Sequence, residues 1–326
     1  MKSLLKIKNL WVQYNTFEGI VKAVNGLDLE VKSGQTLGLV GETGAGKTTT
    51  ALSIMQLITD PPGKIVDGEI YFKGTNLNKL SDKEMKKFRG NQISMIFQNP
   101  MTSLNPVISV GLQIEEIIEA HQNLGKKAAF KKAAEMLEMV QIPGQRIHEY
   151  PHEFSGGMRQ RVGIAMALAC NPSLIIADEP TTALDVTIQA QVLELISNLK
   201  QEFSTAMIMI THDLGVVGEI CDRVAVMYAG QIIEEGSLEQ IFTNPLHPYT
   251  VGLFKCIPDI EAKVSKVYPI KGTMPDPLNL PQGCYFSPRC EKAKGICKQR
   301  IPETVEVDEH SVRCYLYDGK RRNSVE

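Results

Sequence analysis

The chain has 326 residues, of which 43% are hydrophobic and 22% charged, so it can bury a core in two domains or in one domain with an extension. Its formal net charge is −2 and no basic block exceeds three residues, which argues against a general nucleic-acid-binding protein. The first residues lack the apolar core of a signal peptide, and no apolar run approaches the roughly 18 residues that cross a bilayer. We therefore expect any role at a membrane to depend on a partner.

Short apolar strands alternate with helical stretches through roughly residue 235, a pattern typical of an α/β fold with a largely parallel sheet. Residues 5–14 and 67–72 alternate apolar and polar side chains, which predicts half-exposed antiparallel strands. Residues 36–40, 173–177 and 206–210 are continuous apolar runs, too short for helices, and they predict buried central strands.

Residues 41–48, Gly-Glu-Thr-Gly-Ala-Gly-Lys-Thr, match the phosphate-loop pattern G-x-x-x-x-G-K-[ST] between a predicted strand and a predicted helix. The glycines allow a tight turn in which successive N–H groups point at phosphates, at the positive end of the helix. Lys47 would contact the β- and γ-phosphates, and the Thr48 hydroxyl would bind Mg²⁺. The predicted nucleotide-binding residues here are Gly41, Thr43, Gly44, Ala45, Gly46, Lys47, Thr48 and Thr49. A glycine-rich turn with an exposed lysine is the alternative, and the loop alone does not separate kinases, GTPases and ATPases.

Residues 101–150 carry apolar side chains at helical spacing without a strand signal, which predicts a helical insert. After Gly236 the regular pattern fades and prolines recur, which indicates a linker into a small C-terminal module.

The predicted strand at 173–177 is followed by two adjacent carboxylates, Asp178 and Glu179, whose like charges raise each other's cost of burial. A Mg²⁺ ion and a catalytic water would account for the pair. Asp178 would hold Mg²⁺ through its water shell, and Glu179 would polarise the attacking water. Two acids that cap the next helix are the alternative, and the upstream phosphate loop favours the Mg²⁺ interpretation.

Residues 154–161, Phe-Ser-Gly-Gly-Met-Arg-Gln-Arg, resemble the signature sequence of ABC ATPases. Other motifs of that family stand in the expected order: Gln98 in Ile-Phe-Gln-Asn-Pro, Ala-Leu-Asp at 183–185, and His212 in Ile-Thr-His-Asp. Together with Ala-Asp-Glu-Pro-Thr-Thr-Ala-Leu-Asp and Leu-Asn-Pro at 104–106, the signature resembles that of ATPase subunits of dipeptide and oligopeptide importers.

The resemblance implies an α/β fold: a P-loop ABC ATPase core with a mainly parallel sheet, an antiparallel β subdomain, an α-helical subdomain and a small Cys-rich C-terminal extension. The implied domains are an ABC ATPase domain over residues 1–245, with the helical subdomain inserted at about 101–158, and an oligopeptide-transporter-type extension over residues 246–326.

The signature is expected to serve a second anion site. Ser155, Gly156 and Gly157 begin a helix and offer a hydroxyl and free N–H groups, but they lie too far along the chain to serve their own phosphate loop easily. The family pairs two ATPases head to tail, so each ATP lies between one phosphate loop and the other subunit's signature. Phe154 and Met158 depart from the commoner Leu-Ser-Gly-Gly-Gln, and Met158 lacks the amide of a glutamine.

The resemblance also assigns roles to single residues. Gln98 would contact Mg²⁺, and His212 would contact the γ-phosphate, although a lone histidine is more often structural. Tyr14 would stack on adenine; a structural strand-end tyrosine is the alternative, and Phe17 is a rival for the stacking role. The implied catalytic residues are Glu179, His212 and Lys47, and the implied Mg²⁺ ligands are Thr48, Gln98 and Asp178.

The implied partners are two transmembrane permease subunits, a second related ATPase subunit in a heterodimer and, indirectly, an extracytoplasmic peptide-binding protein, with no nucleic acid. ATP and Mg²⁺ are the implied cofactors, and the implied location is the cytoplasmic face of the cell membrane. An importer of another solute such as nickel is one alternative, and a soluble ABC ATPase that acts on nucleic acid or ribosomes is another. A P-loop kinase does not explain residues 155–157 or His212.

Four cysteines, separated by 5, 6 and 16 residues, lie near the C-terminus: Cys284, Cys290, Cys297 and Cys314. Four clustered thiolates are typical of zinc or iron–sulfur sites, and the cysteine spacing alone favours neither kind of site over the other. The resemblance implies a [4Fe–4S] cluster, with Zn²⁺, reversible disulfides or free thiols as alternatives. The scattered Cys170, Cys221 and Cys256 are expected to be buried and without a role.

Overall fold

The computed structural model describes residues 2–98, 103–182, 184–256 and 269–318. Its strands are β1 (Ser3–Thr16), β2 (Gly19–Lys32), β3 (Thr36–Val40), β4 (Gly63–Phe72), β5 (Thr75–Asn76), β6 (Ile93–Ile96), β7 (Leu174–Asp178), β8 (Ala206–Thr211), β9 (Arg223–Tyr228), β10 (Gln231–Ser237), β11 (Val305–Val307) and β12 (His310–Val312). Its helices are α1 (Lys47–Ile54), α2 (Asp82–Met85), α3 (Val110–His121), α4 (Lys126–Met139), α5 (Gly156–Leu168), α6 (Val186–Phe203), α7 (Leu214–Ile220), α8 (Leu238–Thr243) and α9 (Pro248–Lys255). None of the described helices has both the length and the apolar character to cross a membrane.

The chain forms two compact units, and the first comprises residues 1–5, 31–36 and 72–211. Its core contains three neighbouring parallel strands in the order β6, β7, β8, in which Ile93 pairs with Leu174, and Leu174 with Ala206. All residues of these strands are buried, which explains why their sequences are mostly apolar. The predicted central strands at 173–177 and 206–210 are thus confirmed.

Helices α3 and α4 of the first unit confirm the predicted helical character of the stretch around 101–150. Ile114 and Ile118 are one helical turn apart on α3, as are Ala133 and Leu137 on α4, and all four are fully buried. Complete burial of a side chain such as Leu137 stabilises the fold by about 1.5–3 kcal/mol. Residues 101 and 102 of this predicted insert lie outside the described part of the chain.

The second unit comprises residues 6–30, 37–71 and 212–326. Strands β1 and β2 are sheet neighbours joined by a two-residue turn, so they run antiparallel as predicted for the first of them. Strand β3 is parallel to β9, whereas β10 is antiparallel to both β9 and β12. More regular structure follows Gly236 than the sequence predicts, because elements of three to eight residues contain too few periods to be recognised.

A buried polar cluster connects β10, α9 and β12 in this unit. The Glu234 carboxylate is 1% exposed and accepts backbone N–H bonds from Leu246 and His247, at 2.6 and 2.8 Å. His310 Nε2 lies 2.8 Å from Glu234 Oε1. Burial alone would raise the pKa of Glu234, but bonds from His310, Leu246 and His247 outweigh it and lower the pKa. The cluster therefore holds a charged carboxylate at the first turn of α9.

His247 caps α9 in its neutral form. Its Nδ1 accepts the Tyr249 N–H at 3.1 Å, and complete burial lowers the pKa of His247 to about 4, opposed by the charge of Glu234. The unfolded histidine has a pKa of about 6.5, so the unfolded chain takes up a proton first as the pH falls. Stabilisation by neutral His247 is therefore complete above pH 6.5 and is lost between about pH 6.5 and pH 4.

Acid titration of unfolding tests this role of His247. We expect the free energy of unfolding to fall by up to about 3 kcal/mol through His247 as the pH falls from 7 to 4. His247→Asn retains a capping oxygen but has no titrating group. Its free energy of unfolding, measured by urea denaturation, should therefore fall less over this pH range. His152→Asn, the same substitution at an exposed position, is the matched control. Equal pH dependence in wild type and His247→Asn would contradict the assignment.

Candidate functional site

The predicted phosphate loop of the second unit turns sharply between β3 and α1. Gly41, Gly44 and Gly46 have φ values of 156°, 83° and 102°, a region in which other residues are strained. A Cβ on Gly41 would lie 2.2 Å from the Met227 carbonyl oxygen, and one on Gly46 would lie 2.5 Å from that of Ala23. The close backbone approach thus requires glycine at both positions, and it places the start of α1 directly after the turn.

Lys47 is the first residue of α1 and its side chain folds back over the loop. The residue is 6% exposed, and its Nζ donates to the carbonyl oxygens of Gly41 and Glu42, at 2.6 and 3.1 Å. These two bonds satisfy a largely buried ammonium group. Of the other predicted nucleotide-binding residues, Thr43, Gly44 and Thr48 are exposed, Gly46 and Thr49 are half-buried, and Gly41 and Ala45 are buried.

The acidic strand end belongs to the first unit. Asp178 ends β7 and is 3% exposed, and Glu179 follows with a positive φ of 46°. Glu179 Oε2 accepts bonds from Gln98 Nε2 at 2.7 Å and from Thr182 Oγ1 at 3.0 Å. The structure thus brings Gln98 and Glu179 together. It also adds Thr182, whose role the sequence did not indicate, because a threonine in a short loop carries no distinctive pattern.

The signature begins α5 in the first unit, as predicted. Ser155 is the N-cap, and its Oγ accepts the Met158 N–H at 3.3 Å. Ser155 and Gly156 are exposed, so their polar groups face solvent at the positive end of the helix. A Cβ on Gly157 would lie 2.5 Å from Ile188 Cγ2 of α6, so glycine at this position allows the two helices to approach closely.

Arg146 contacts both residues that depart from the common signature. Its guanidinium lies 4.3 Å from the centroid of the Phe154 ring, and its Nη1 donates to the Met158 sulfur at 3.4 Å. Its Nε donates to Glu149 Oε2 at 2.7 Å. Phe154 and Met158 therefore belong to one packed cluster around an arginine that the sequence analysis did not identify.

His212 and Tyr14 both belong to the second unit. His212 is exposed after β8, and it lines an open cavity together with Gly41 and Glu42 of the phosphate loop. Tyr14 is half-buried, and a Cβ on Gly63 would lie 2.6 Å from its Cε1, so one edge of its ring packs on that backbone. Phe17 is fully exposed in the turn between β1 and β2. Contact of His212 with a phosphate and of Tyr14 with adenine stay predictions.

The four C-terminal cysteines line one small cavity in the second unit. Each sulfur accepts a backbone N–H: those of Cys284, Cys290, Cys297 and Cys314 accept from Phe286, Lys292, Lys294 and Leu316 in that order. Burial and then the neighbouring thiols raise the pKa of Cys284 to about 11. Within the described residues, no three His, Cys, Asp or Glu side chains are grouped closely enough to hold a metal ion.

Two of the other cysteines agree with the prediction and one differs. Cys170 and Cys221 are buried, whereas Cys256 is only half-buried, because it follows the last residue of the short helix α9.

Comparison with known proteins defines the class first. The ABC transporter family model matches residues 24–182. The solved dimer of the ATP-binding cassette MJ0796 in a post-hydrolysis state with ADP and Pi is 30% identical, with a TM-score of 0.65 over 72% of this chain and 99% of that one. The chain is therefore an ABC-type ATPase with the expected α/β fold.

Closer relatives define the family. A second family model, the C-terminal region of oligopeptide/dipeptide transporters, matches residues 233–297. The oligopeptide transport ATP-binding protein AppD of Bacillus subtilis is 50% identical over 98% of each chain. The dipeptide transport ATP-binding protein DppD of the same organism is 48% identical over 100% of this chain and 98% of that one. The chain belongs to the family of oligopeptide and dipeptide transport ATP-binding proteins.

Substitution of Gly157 tests the helix contact at the signature. Gly157→Ala places a Cβ against Ile188 and should lower the free energy of unfolding by about 1–3 kcal/mol. Gly163→Ala, in the same helix and with nothing within 4 Å of its Cβ, should be neutral or slightly stabilising. Urea unfolding of the double variant Gly157→Ala/Ile188→Ala should show a smaller loss of unfolding free energy than the sum of the two single losses. We expect the difference to be about 1 kcal/mol or more. Additive losses would show that Ile188 is not the obstacle.

Proposed function

We propose that this chain hydrolyses ATP as the nucleotide-binding subunit of an ABC importer for oligopeptides or dipeptides. The observation that carries the proposal is the identity of about 50% to AppD and DppD over nearly the whole chain. That similarity includes the match at residues 233–297 to the region characteristic of oligopeptide/dipeptide transporters, and is therefore not confined to the common ATPase core. We place the boundary between core and extension at residues 245 and 246.

The phosphate loop binds ATP in this proposal. The N–H groups of residues 41–49 surround the phosphates, and Lys47 exchanges its two carbonyl partners for phosphate oxygens. Supporting observations are the positive-φ glycines and the position of Thr48, an exposed residue, at the start of α1. Thr48 and Gln98 would supply oxygen ligands of the kind that Mg²⁺ prefers, and Asp178 would hold the ion through its water shell. When bound, the ion would neutralise phosphate charge. Tyr14 stacks on the adenine ring.

Glu179 is the proposed general base. It accepts a proton from water while the water oxygen bonds to the γ-phosphorus and the bond to the β–γ bridging oxygen breaks, leaving ADP and phosphate. Bonds from Gln98 and Thr182 orient this carboxylate, which supports the assignment. His212 donates to the γ-phosphate from the end of β8. Because Gln98 precedes the helical region, it also connects hydrolysis to the part of the chain that contacts the permeases.

A second ATPase chain completes each site in this proposal. Ser155, Gly156 and the N-terminus of α5 face solvent, so they are accessible to ATP on the phosphate loop of a partner. We propose a related but distinct ATPase as that partner, two transmembrane permeases beneath the pair, and an extracytoplasmic peptide-binding protein that delivers the substrate. The chain then acts at the cytoplasmic face of the membrane.

Glu179→Gln tests the catalytic assignment. The amide retains the shape of the carboxylate but does not accept a proton at neutral pH, so turnover should fall at least about a hundredfold while ATP binding persists. ATP-dependent association of the ATPase pair, measured by size-exclusion chromatography, should persist or increase. Glu194→Gln, an exposed position on α6, should hydrolyse ATP like wild type. Near-normal hydrolysis by Glu179→Gln would remove Glu179 from the mechanism.

We propose further that the four C-terminal cysteines hold an iron–sulfur cluster. A cluster would contribute its own iron and sulfide atoms and would therefore need a space between the thiolates. The shared cavity and the backbone N–H bond to each sulfur fit such a group. When bound, the cluster would supply positive charge that keeps buried thiols deprotonated.

Metal analysis after anaerobic purification tests the cluster. Wild type should contain iron and acid-labile sulfide in about equal amounts, with little zinc. Cys284→Ala should lose both, because a ligand is missing. Cys170→Ala changes a buried cysteine that does not line the cavity, so it should retain them. Zinc without iron in the wild-type protein would overturn the cluster and leave the ATPase proposal intact.

A further inference from the structure

Glu42 is the second residue of the phosphate loop. Its side chain is held by an arginine of the cysteine-bearing segment, residues 284–314. Arg289 Nη1 donates to Glu42 Oε2 at 2.9 Å, and Nη2 donates to Oε1 at 3.1 Å. The arginine side chain is 6% exposed and the glutamate side chain 29%. This two-bond geometry fixes both position and orientation, and a largely desolvated pair is costly to break on one side only.

Arg289 is itself fixed by its surroundings. Its Nε donates to the Lys271 carbonyl oxygen at 3.0 Å, and its Nη1 lies 3.4 Å from the Tyr228 hydroxyl. The guanidinium lies 5.8 Å from the centroid of the Tyr228 ring and 6.0 Å from that of Phe286. The guanidinium therefore has a defined orientation in which Glu42 is its carboxylate partner.

A tyrosine of α9 holds the backbone of the same loop residue. The Glu42 N–H donates to Tyr249 Oη at 2.9 Å, and Tyr249 is fully buried. The Tyr249 ring packs at 4.7 Å from Tyr228 and at 5.5 Å from Phe286, measured between centroids. Glu42 is thus held through its side chain by Arg289 and through its backbone by Tyr249.

The carbonyl oxygen of Glu42 also accepts a hydrogen bond from Lys47 Nζ. Movement of Glu42 therefore displaces the carbonyl oxygen that holds the lysine, together with the backbone beside Gly41. The two side chains that reach this region, Phe286 and Arg289, stand between Cys284 and Cys290. One short loop thus carries two of the four clustered thiols and the contact to the phosphate loop.

We propose that Arg289 is a positioning residue for ATP binding, which holds the phosphate loop through Glu42 and makes nucleotide affinity depend on the loop at residues 284–290. The inference rests on the proposed role of residues 41–48 as the phosphate-binding loop. Arg289 touches neither substrate nor reacting atoms in this scheme. Arg289 is expected to change nucleotide affinity rather than the rate of the hydrolysis step, because the proposed general base Glu179 is not among its contacts.

Nucleotide titration of Arg289→Met tests the proposal. The dissociation constant for a fluorescent ATP analogue and the KM for ATP should rise about 10- to 100-fold, because the loop is no longer held in its binding geometry. The value of kcat at saturating ATP should change by less than about threefold. Arg289→Lys, which keeps the charge but not the two-bond geometry, should recover part of the affinity. Arg300→Met, an exposed arginine of the same segment, should bind like wild type.

A double-mutant cycle separates positioning from general damage. Glu42→Gln should weaken binding as Arg289→Met does, and the double variant should be no weaker than the worse single variant, since both remove the same pair. Cys284→Ala, which disturbs the loop that carries Arg289, should weaken binding in the wild-type background but not in Arg289→Met. Thermal unfolding of each variant identifies any that fails to fold, and Arg289→Lys then serves for the cycle.

Three results would overturn the proposal: unchanged affinity in folded Arg289→Met, additive effects of Glu42→Gln and Arg289→Met, or a fall in kcat with affinity unchanged. Failure of the ATPase proposal itself is distinguishable, because wild type and Arg300→Met would then also fail to bind the ATP analogue.

Discussion

The constraint on which the candidate site depends is the close approach of the phosphate loop to the backbone of its own unit. Gly41 lies so near the Met227 carbonyl, and Gly46 so near that of Ala23, that neither position has room for a Cβ. The turn then directs N–H groups and the start of α1 to one point, where negative charge is stabilised. Strand β3, which precedes the loop, pairs with β9, the strand that carries Met227. The same strand pairing therefore forms part of the sheet and brings the loop close to Met227.

Charged groups of the phosphate loop, and separately Glu179 at the acidic strand end, have fixed partners. Lys47 is held by two carbonyl oxygens, Glu42 by Arg289, and Glu179 by Gln98 and Thr182. Largely buried charges require such partners, and fixed partners reduce the reorganisation needed when a phosphate binds. The family relationship supplies the function, and these contacts indicate how residues of this chain keep the site ordered.

Continuous motifs and unbroken apolar runs were predictable from the sequence. The phosphate loop, the buried strands and the helix that begins at Ser155 were predicted from local sequence patterns, which the tertiary structure does not override. The contacts of Arg289 and Arg146 did not follow. Arg289 and Glu42 are separated by 247 positions, and no local pattern records such a pairing. Short elements such as α9, β11 and β12 were also not predicted, since tertiary contacts rather than periodicity determine them.

The central claim is that ATP hydrolysis by this chain drives peptide import, and transport by the assembled system tests it most directly. The measurement is uptake of a labelled oligopeptide into vesicles that contain this chain with the proposed permeases and the proposed partner ATPase. ATP is supplied on the ATPase side and the proposed binding protein on the other. Uptake should require ATP and should be lost when this chain carries Lys47→Ala, although the complex still assembles. ATP-driven uptake of nickel but not of peptide, or peptide uptake that persists with Lys47→Ala, would contradict the claim.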